Sequence, residues 1–240
     1  MNSKYLLLFI SILVSQACIG QIINIDGGHQ GKYGFMGTDN SIRGTKFYFD
    51  NWGLGKITFS DKNISNPMLL QVDLESNTLL VKDKNDDTKG ITIKIDEVEK
   101  FTIAKIDDKE KGVAYDTFLK KTPADFESSM SNPKYYKQHT KESDYVIEEI
   151  TKSIFDNSSD NTNNFNTKSY KEYRTKNTFY IKNGNGSYIK SSKLNERAFI
   201  KAFPGLKKEI KNYSKTQNLN FDNPIQLDAL ISFCLSHTKE

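Results

Sequence analysis

The sequence predicts an α+β protein, a mainly antiparallel β-sheet body over residues 46–190 followed by a small cap of three helices over 191–240. Three observations carry this. Apolar residues recur at every second position through Met68, Leu70, Val72 and Leu74 and through Ile91, Ile93 and Ile95. The run Asn183-Gly184-Asn185-Gly186 parts two extended segments, as a hairpin turn would. From Leu194 onward the apolar period lengthens to that of a helix.

The chain opens with Lys4, an apolar run containing Leu6, Leu7, Leu8, Phe9, Ile10, Ile12 and Leu13, and then small or polar residues to Gly20. That is the layout of a cleavable secretory signal over residues 1–20. A span needs roughly twenty apolar residues, so the run is too short for a stable anchor, and no second such run follows. The expected product begins at Gln21, is soluble, and lies in the periplasm or outside the cell. Lipid attachment at Cys18 is the rival reading. Ala17 permits it, but Ser15 and Gln16 supply no apolar residue upstream.

Residues 21–45 are rich in glycine, including Gly27, Gly28, Gly31, Gly34 and Gly37, and show no apolar period, which reads as a flexible leader. In the body, alternation puts one face of each strand inward, with turns at 75–77 and 83–89 and a sub-boundary near 107–112. Segments 134–140 and 145–150 suit a hairpin across Lys141-Glu142-Ser143-Asp144. Val146, Ile147, Ile150 and Ile154 also suit one face of a helix, and the two readings stand side by side. Asn, Ser and Asp dominate 157–166, a surface loop. In the cap, Leu194, Ala198, Phe199, Ala202 and Phe203 form one stripe, and Leu206, Ile210 and Tyr213 form a second after Pro204. Leu227, Leu230, Ile231, Cys234 and Leu235 form the third, behind Asn223 as N-cap, Pro224 at the first helical position and Gln226 three residues past the cap.

Catalytic patterns are missing from the chain. His29, His139 and His237 are scattered without metal-ligand spacing, and neither a GxSxG elbow nor an SxxK pair occurs. Asp83, Asn85 and Asp87 resemble the start of a calcium loop, but Thr88 replaces the required glycine and Lys94 the bidentate glutamate. Gly31, Gly34 and Gly37 lack the preceding strand and following helix of a phosphate cradle. Cys234 sits on an apolar stripe and reads as packing, and Trp52 as a core anchor rather than a stacking platform. No cofactor is expected.

Charge is the feature with functional content. Residues 21–110 carry 12 basic and 15 acidic side chains, whereas 168–215 carry 13 basic and 3 acidic. Tyr170, Tyr173, Tyr180, Tyr188 and Tyr213 are interleaved with that basic stretch, a composition that suits an anionic polymer or membrane surface. Lys171, Lys182, Lys190, Lys207, Lys208 and Lys211 are the candidate contacts. Of 34 basic residues only Arg43, Arg174 and Arg197 are arginines, which argues against sequence-specific nucleic-acid recognition, since bidentate readout of bases favours arginine.

The pattern Gly55-Lys56-Ile57-Thr58-Phe59, Leu70-Gln71-Val72-Asp73, Leu79-Leu80-Val81 and Ile95-Asp96-Glu97-Val98-Glu99-Lys100-Phe101 resembles exported proteins of unassigned function common in bacteroidete bacteria. The lysine-rich ending and a signal cut just before Gln21 are similar to theirs. This resemblance implies location and carries no catalytic residue across. The expected function is a non-catalytic envelope or secreted module that binds another macromolecule, an anionic envelope polymer or a protein. The rival is a hydrolase acting on an envelope polymer through scattered acids, which two converging carboxylates with shifted pKa values would mark.

Overall fold

The computed structural model describes residues 41–86, 89–104, 114–128, 131–157 and 170–238, with the backbone of Ile22–Ile23 and Tyr33–Phe35. The signal, Cys18, His29, Asp87, the sub-boundary at 107–112 and most of the loop at 157–166 lie outside the described residues. An α+β fold results. Strands β1 (Ile22–Ile23), β2 (Tyr33–Phe35) and β3 (Ile42–Arg43) fall in the segment read as a leader. They are followed by β4 (Gly53–Phe59), β5 (Ile64–Ser65), β6 (Met68–Asp73), β7 (Thr78–Lys82), β8 (Lys89–Ile93) and β9 (Val98–Ala104). Then come β10 (Asp116–Lys121), β11 (Lys134–Gln138), β12 (Val146–Asp156), β13 (Lys171–Lys182) and β14 (Tyr188–Ser191), and the helices α1 (Glu196–Ala202), α2 (Lys207–Thr216) and α3 (Pro224–His237).

All strands belong to one sheet, whose main path runs β14-β13-β12-β11-β10-β9-β4-β6-β7-β8-β2. Pairing along this path is antiparallel, and β1 with β5, β3 with β13 and the isolated bridge of Phe126 with Tyr188 run parallel. The open question over 134–150 resolves as a hairpin, with Lys137 opposite Glu148 and Gln138 opposite Ile147. Strand pairing overrides the helical spacing of Val146, Ile147 and Ile150 because β13 offers β12 a continuous partner from Val146 to Asp156.

The sheet curls on itself. Asn77, at the β6–β7 turn with φ of 54°, accepts from the Tyr135 backbone N–H at 2.7 Å and donates to the Tyr135 carbonyl at 3.1 Å. Asparagine tolerates this left-handed conformation better than most residues. Close by, the Lys152 backbone N–H donates to the Leu74 carbonyl at 3.2 Å. The turn thus plugs the gap where β12 diverges from β11 and brings together strands that are not neighbours in the sheet. Ile57, Phe59, Leu70, Val72, Phe101 and Phe118 fill the concave side, joined by Tyr135 and Ile150.

One expectation needs correcting: β6 does not have a single buried face. Gln71 and Asp73 are buried along with Leu70 and Val72, because 46–51 runs against β6, Phe47 bridging Asp73. Gln71 holds that segment, donating to the carbonyls of Phe49 and Asn51 at 2.8 and 2.9 Å, so its amide is buried but satisfied.

The three helices pack at the Val146 and Ile181 end of β12 and β13, on the face of β12 that also carries Ile150. Val146 and Ile181 meet Phe199, Ile210, Leu227, Leu230 and Cys234 in a second core. Asn195 caps α1 through the Ala198 N–H, and Asn223 caps α3 through the N–H groups of Ile225 and Gln226. Gln226 departs from the expected reciprocal box. Its side chain accepts from the Asn220 N–H at 2.7 Å, which pins the preceding loop instead. Asp228 on α3 accepts from the N–H groups of Lys141 and Glu142 and from the Ser143 hydroxyl, keying the helices to the β11–β12 turn. Among the described residues no helix is long and apolar enough to cross a membrane.

Candidate polyanion-binding site

The six lysines singled out in the sequence do not share one surface. Lys182 turns into the protein end of β13, its ammonium 2.9 Å from both oxygens of Asp144 and 5.1 Å from the centre of the Tyr188 ring. Lys171 lies eleven positions away on the same strand, roughly 35 Å at about 3.3 Å per residue, and faces Asp156 at 3.6 Å. Neither belongs with the others. Lys190 on β14 and Lys207, Lys208 and Lys211 on α2 are exposed at the helical end.

Lys190 lies on the face of β14 opposite Ile189, which packs with the helices, and four further cations lie in the same stretch of chain. Lys193, Arg197, Lys201 and Lys215 are also exposed, and none of the eight forms an ion pair among the described residues. Over 190–216 only Glu196 and Glu209 oppose them. At 3.6 residues per turn, Lys207, Lys208, Lys211 and Lys215 fall within an arc of about 100° on α2, away from the buried Ile210. Arg197 and Lys201 stand one turn apart on α1, and Lys201 Nζ donates to the Lys190 carbonyl at 3.1 Å, tying the helix to β14. Helical spacing of 207, 211 and 215 was legible in the sequence and marks Lys215 as part of the group. On the sheet side pairing is common, although Lys56, Lys100 and Lys176 are exposed without an ion pair among the described residues. Lys46, Lys62, Lys121, Lys134 and Lys137 each have a carboxylate within 3 Å.

The tyrosines do not form the stacking surface that their interleaving suggests. Tyr180 and Tyr188 are 3% and 1% exposed, inside a cluster with Phe126, Tyr136 and Ile147. Tyr213 stacks on Phe233 at 4.5 Å, and the Arg43 guanidinium covers Tyr170 at 4.4 Å. Tyr180 and Tyr188 share the face of β13 and β14 that Phe126 and Tyr136 cover.

Beside the cations lies a cleft of about 600 Å³, bounded by the β13–β14 turn, the corner after α1 and the end of α3. In that turn Gly186 takes φ of 86°, the left-handed residue that closes a hairpin loop after a first turn. Asn183, 7% exposed, fixes the loop by accepting from the N–H groups of Asn185 and Ser187, both at 3.0 Å.

Three acids away from the cleft are engaged by the fold. Glu149 accepts from Lys134 at 2.6 Å and from the Tyr180 hydroxyl at 2.9 Å, and Glu148 lies 3.7 Å from His139 Nδ1. Asp83 accepts from the Asn85 N–H, an ordinary turn contact. Among the described residues no three His, Cys, Asp or Glu side chains are grouped to hold a metal.

Asp144 is held by two lysines, Lys121 and Lys182. Burial alone would raise its carboxyl, but the hydrogen bonds and charges of Lys121 and Lys182 hold it at about 2. That shift is opposite to the one a general acid needs. Because the folded pKa is below the ordinary 3.8, the stabilisation is complete above about pH 4 and is lost as pH falls towards 2. The carboxylate is 33% exposed, so solvent screening reduces the effect. Asp144→Asn is expected to cost about 1–2 kcal/mol at pH 7. The stability gap from wild type should close by pH 2 in urea titrations, and a gap constant with pH would show that hydrogen-bond geometry, not charge, carries the contact.

Compared with known proteins, the chain matches no family model, no curated protein and no solved structure.

Proposed function

We infer that the protein is an exported, non-catalytic module of the envelope or the secreted fraction, holding an anionic polymer on its helical end. The observation that carries this reading is the set of eight exposed cations over 190–215, unpaired among the described residues and opposed within 190–216 only by Glu196 and Glu209. Unpaired cations keep their field and their counterions, so a polyanion gains the entropy of releasing them. Lysine acts here as a point charge, so binding is set by charge density rather than by sequence. The apolar opening of the chain and the resemblance to exported bacteroidete proteins support the location.

Heparin chromatography of the mature chain tests this. Lys207→Glu, Lys208→Glu and Lys211→Glu together should lower the eluting salt markedly. Each lost contact should also flatten the dependence of log affinity on log salt by about 0.7–0.9. The control replaces Lys62, Lys84 and Lys94 by glutamate, the same change in net charge on the sheet side, and should shift elution much less. Equal shifts for the two triple variants would mean that only overall charge matters, and the helical end would then be an ordinary solvated surface.

A further inference from the structure

We propose that the polymer is an acidic polysaccharide, and that one of its sugar residues seats in the cleft beside Lys201. This rests on the reading of the helical end as a polyanion site and names the class of polyanion. The cleft is built rather than incidental. Buried Asn183, besides holding the turn, donates from Nδ2 to Glu127 Oε1 at 2.7 Å, which fixes a carboxylate at the rim. His237 Nδ1 lies 2.8 Å from the Phe233 carbonyl, a contact that places a proton on Nδ1. Lys201 adds a donor, and the exposed amide of Asn185 adds both a donor and an acceptor. Ile189 and Leu206 contribute apolar lining.

This mixture selects among anions. A phosphate or sulfate only accepts hydrogen bonds, so Glu127 opposes it at close range. A pyranose hydroxyl donates and accepts, so it satisfies Glu127 and Lys201 together, while the ring's C–H face suits the apolar lining. Acidic groups elsewhere on the same chain are then free to meet the lysines of α2. Nucleic acid fits less well. Single strands bind by stacking bases on exposed aromatic rings, and Tyr180 and Tyr188 are interior. The division of labour is therefore lysines for charge and the cleft for the sugar.

Glu127→Ala gives a test in which the two explanations predict opposite signs. The probes are a short sulfated, uronate-containing oligosaccharide and an oligothymidylate of equal charge, titrated calorimetrically against the mature chain. If charge alone matters, removing an acid beside the cations tightens both. If Glu127 accepts a sugar hydroxyl, the oligosaccharide should bind about tenfold more weakly while the oligothymidylate binds as before or tighter. Asn185→Ala, at an exposed turn position, should reproduce the selective loss, and unchanged melting temperatures confirm that both variants are folded. Oligosaccharide affinity that is unchanged or increased in both variants overturns the sugar assignment. Failure of the underlying reading has a different signature, in which the Lys207, Lys208 and Lys211 triple variant leaves both probes bound as in wild type.

Discussion

Gly55→Ala should destabilise the sheet by about 3 kcal/mol or more, a large part of the stability of a domain this size. Gly53 and Gly55 lie two apart on the buried face of β4, followed on that face by Ile57 and Phe59. A Cβ at Gly55 would stand 2.0 Å from the Thr102 carbonyl oxygen and 2.7 Å from Leu70 Cδ1. Side chains can repack to admit a methyl group, but a backbone carbonyl in the β4–β9 ladder cannot withdraw without breaking its own hydrogen bonds. The glycines thus allow β4 to approach the β9 backbone closely. Urea denaturation measures the effect, with Gly205→Ala as control. Nothing lies within 4 Å of a Cβ at Gly205, so that change should stay within about 0.5 kcal/mol. A loss below about 1 kcal/mol for Gly55→Ala would mean that β4 and β9 stand farther apart than described.

Cys234→Asp should detach the helices from the sheet. Cys234 has no exposed surface and packs among Leu227, Leu230, Ile231 and Phe199 against Val146 and Ile181. Burial pushes its thiol up to about 12, the mark of a site that refuses negative charge. A carboxylate there either ionises without a partner or stays protonated in apolar surroundings, at a cost of about 3–5 kcal/mol. Cys234→Ala keeps the site apolar and should cost about 1 kcal/mol, with binding to heparin retained. Circular dichroism of the aspartate variant should lose helical signal before strand signal on adding urea. Rapid labelling of the wild-type thiol in the native state would contradict the packing role.

Local chemistry made much of this legible in the sequence. Period-two alternation located β6 and β8, Asn183 to Gly186 located the β13–β14 turn, and Asn223-Pro224 located the start of α3. Each signal resides in a few neighbouring residues, since a strand's pleat, a turn's φ angles and a cap's hydrogen bonds are local requirements. The excess of lysine over 168–215 was legible for the same reason, as were the apolar stripes that put Ile210 and Cys234 inside.

Partnership was decided by the tertiary structure, because it joins residues far apart in the chain. Nothing near Lys182 distinguishes it from Lys190, yet Asp144 neutralises the first across 38 positions while the second stays exposed. Tyr180 and Tyr188 become core because alternation and the approach of Phe126 leave them no solvent. The cleft joins Glu127, Asn183, Lys201 and His237, which no spacing rule connects. The sequence by itself determined where β6, β8, the β13–β14 turn and the three helices form and where positive charge accumulates, but not β1–β3 or the choice of a hairpin over 134–150. Which of those charges remain unpaired depended on the curl of the sheet and the docking of the helices, since a Coulomb interaction follows distance in space and burial rather than position along the chain.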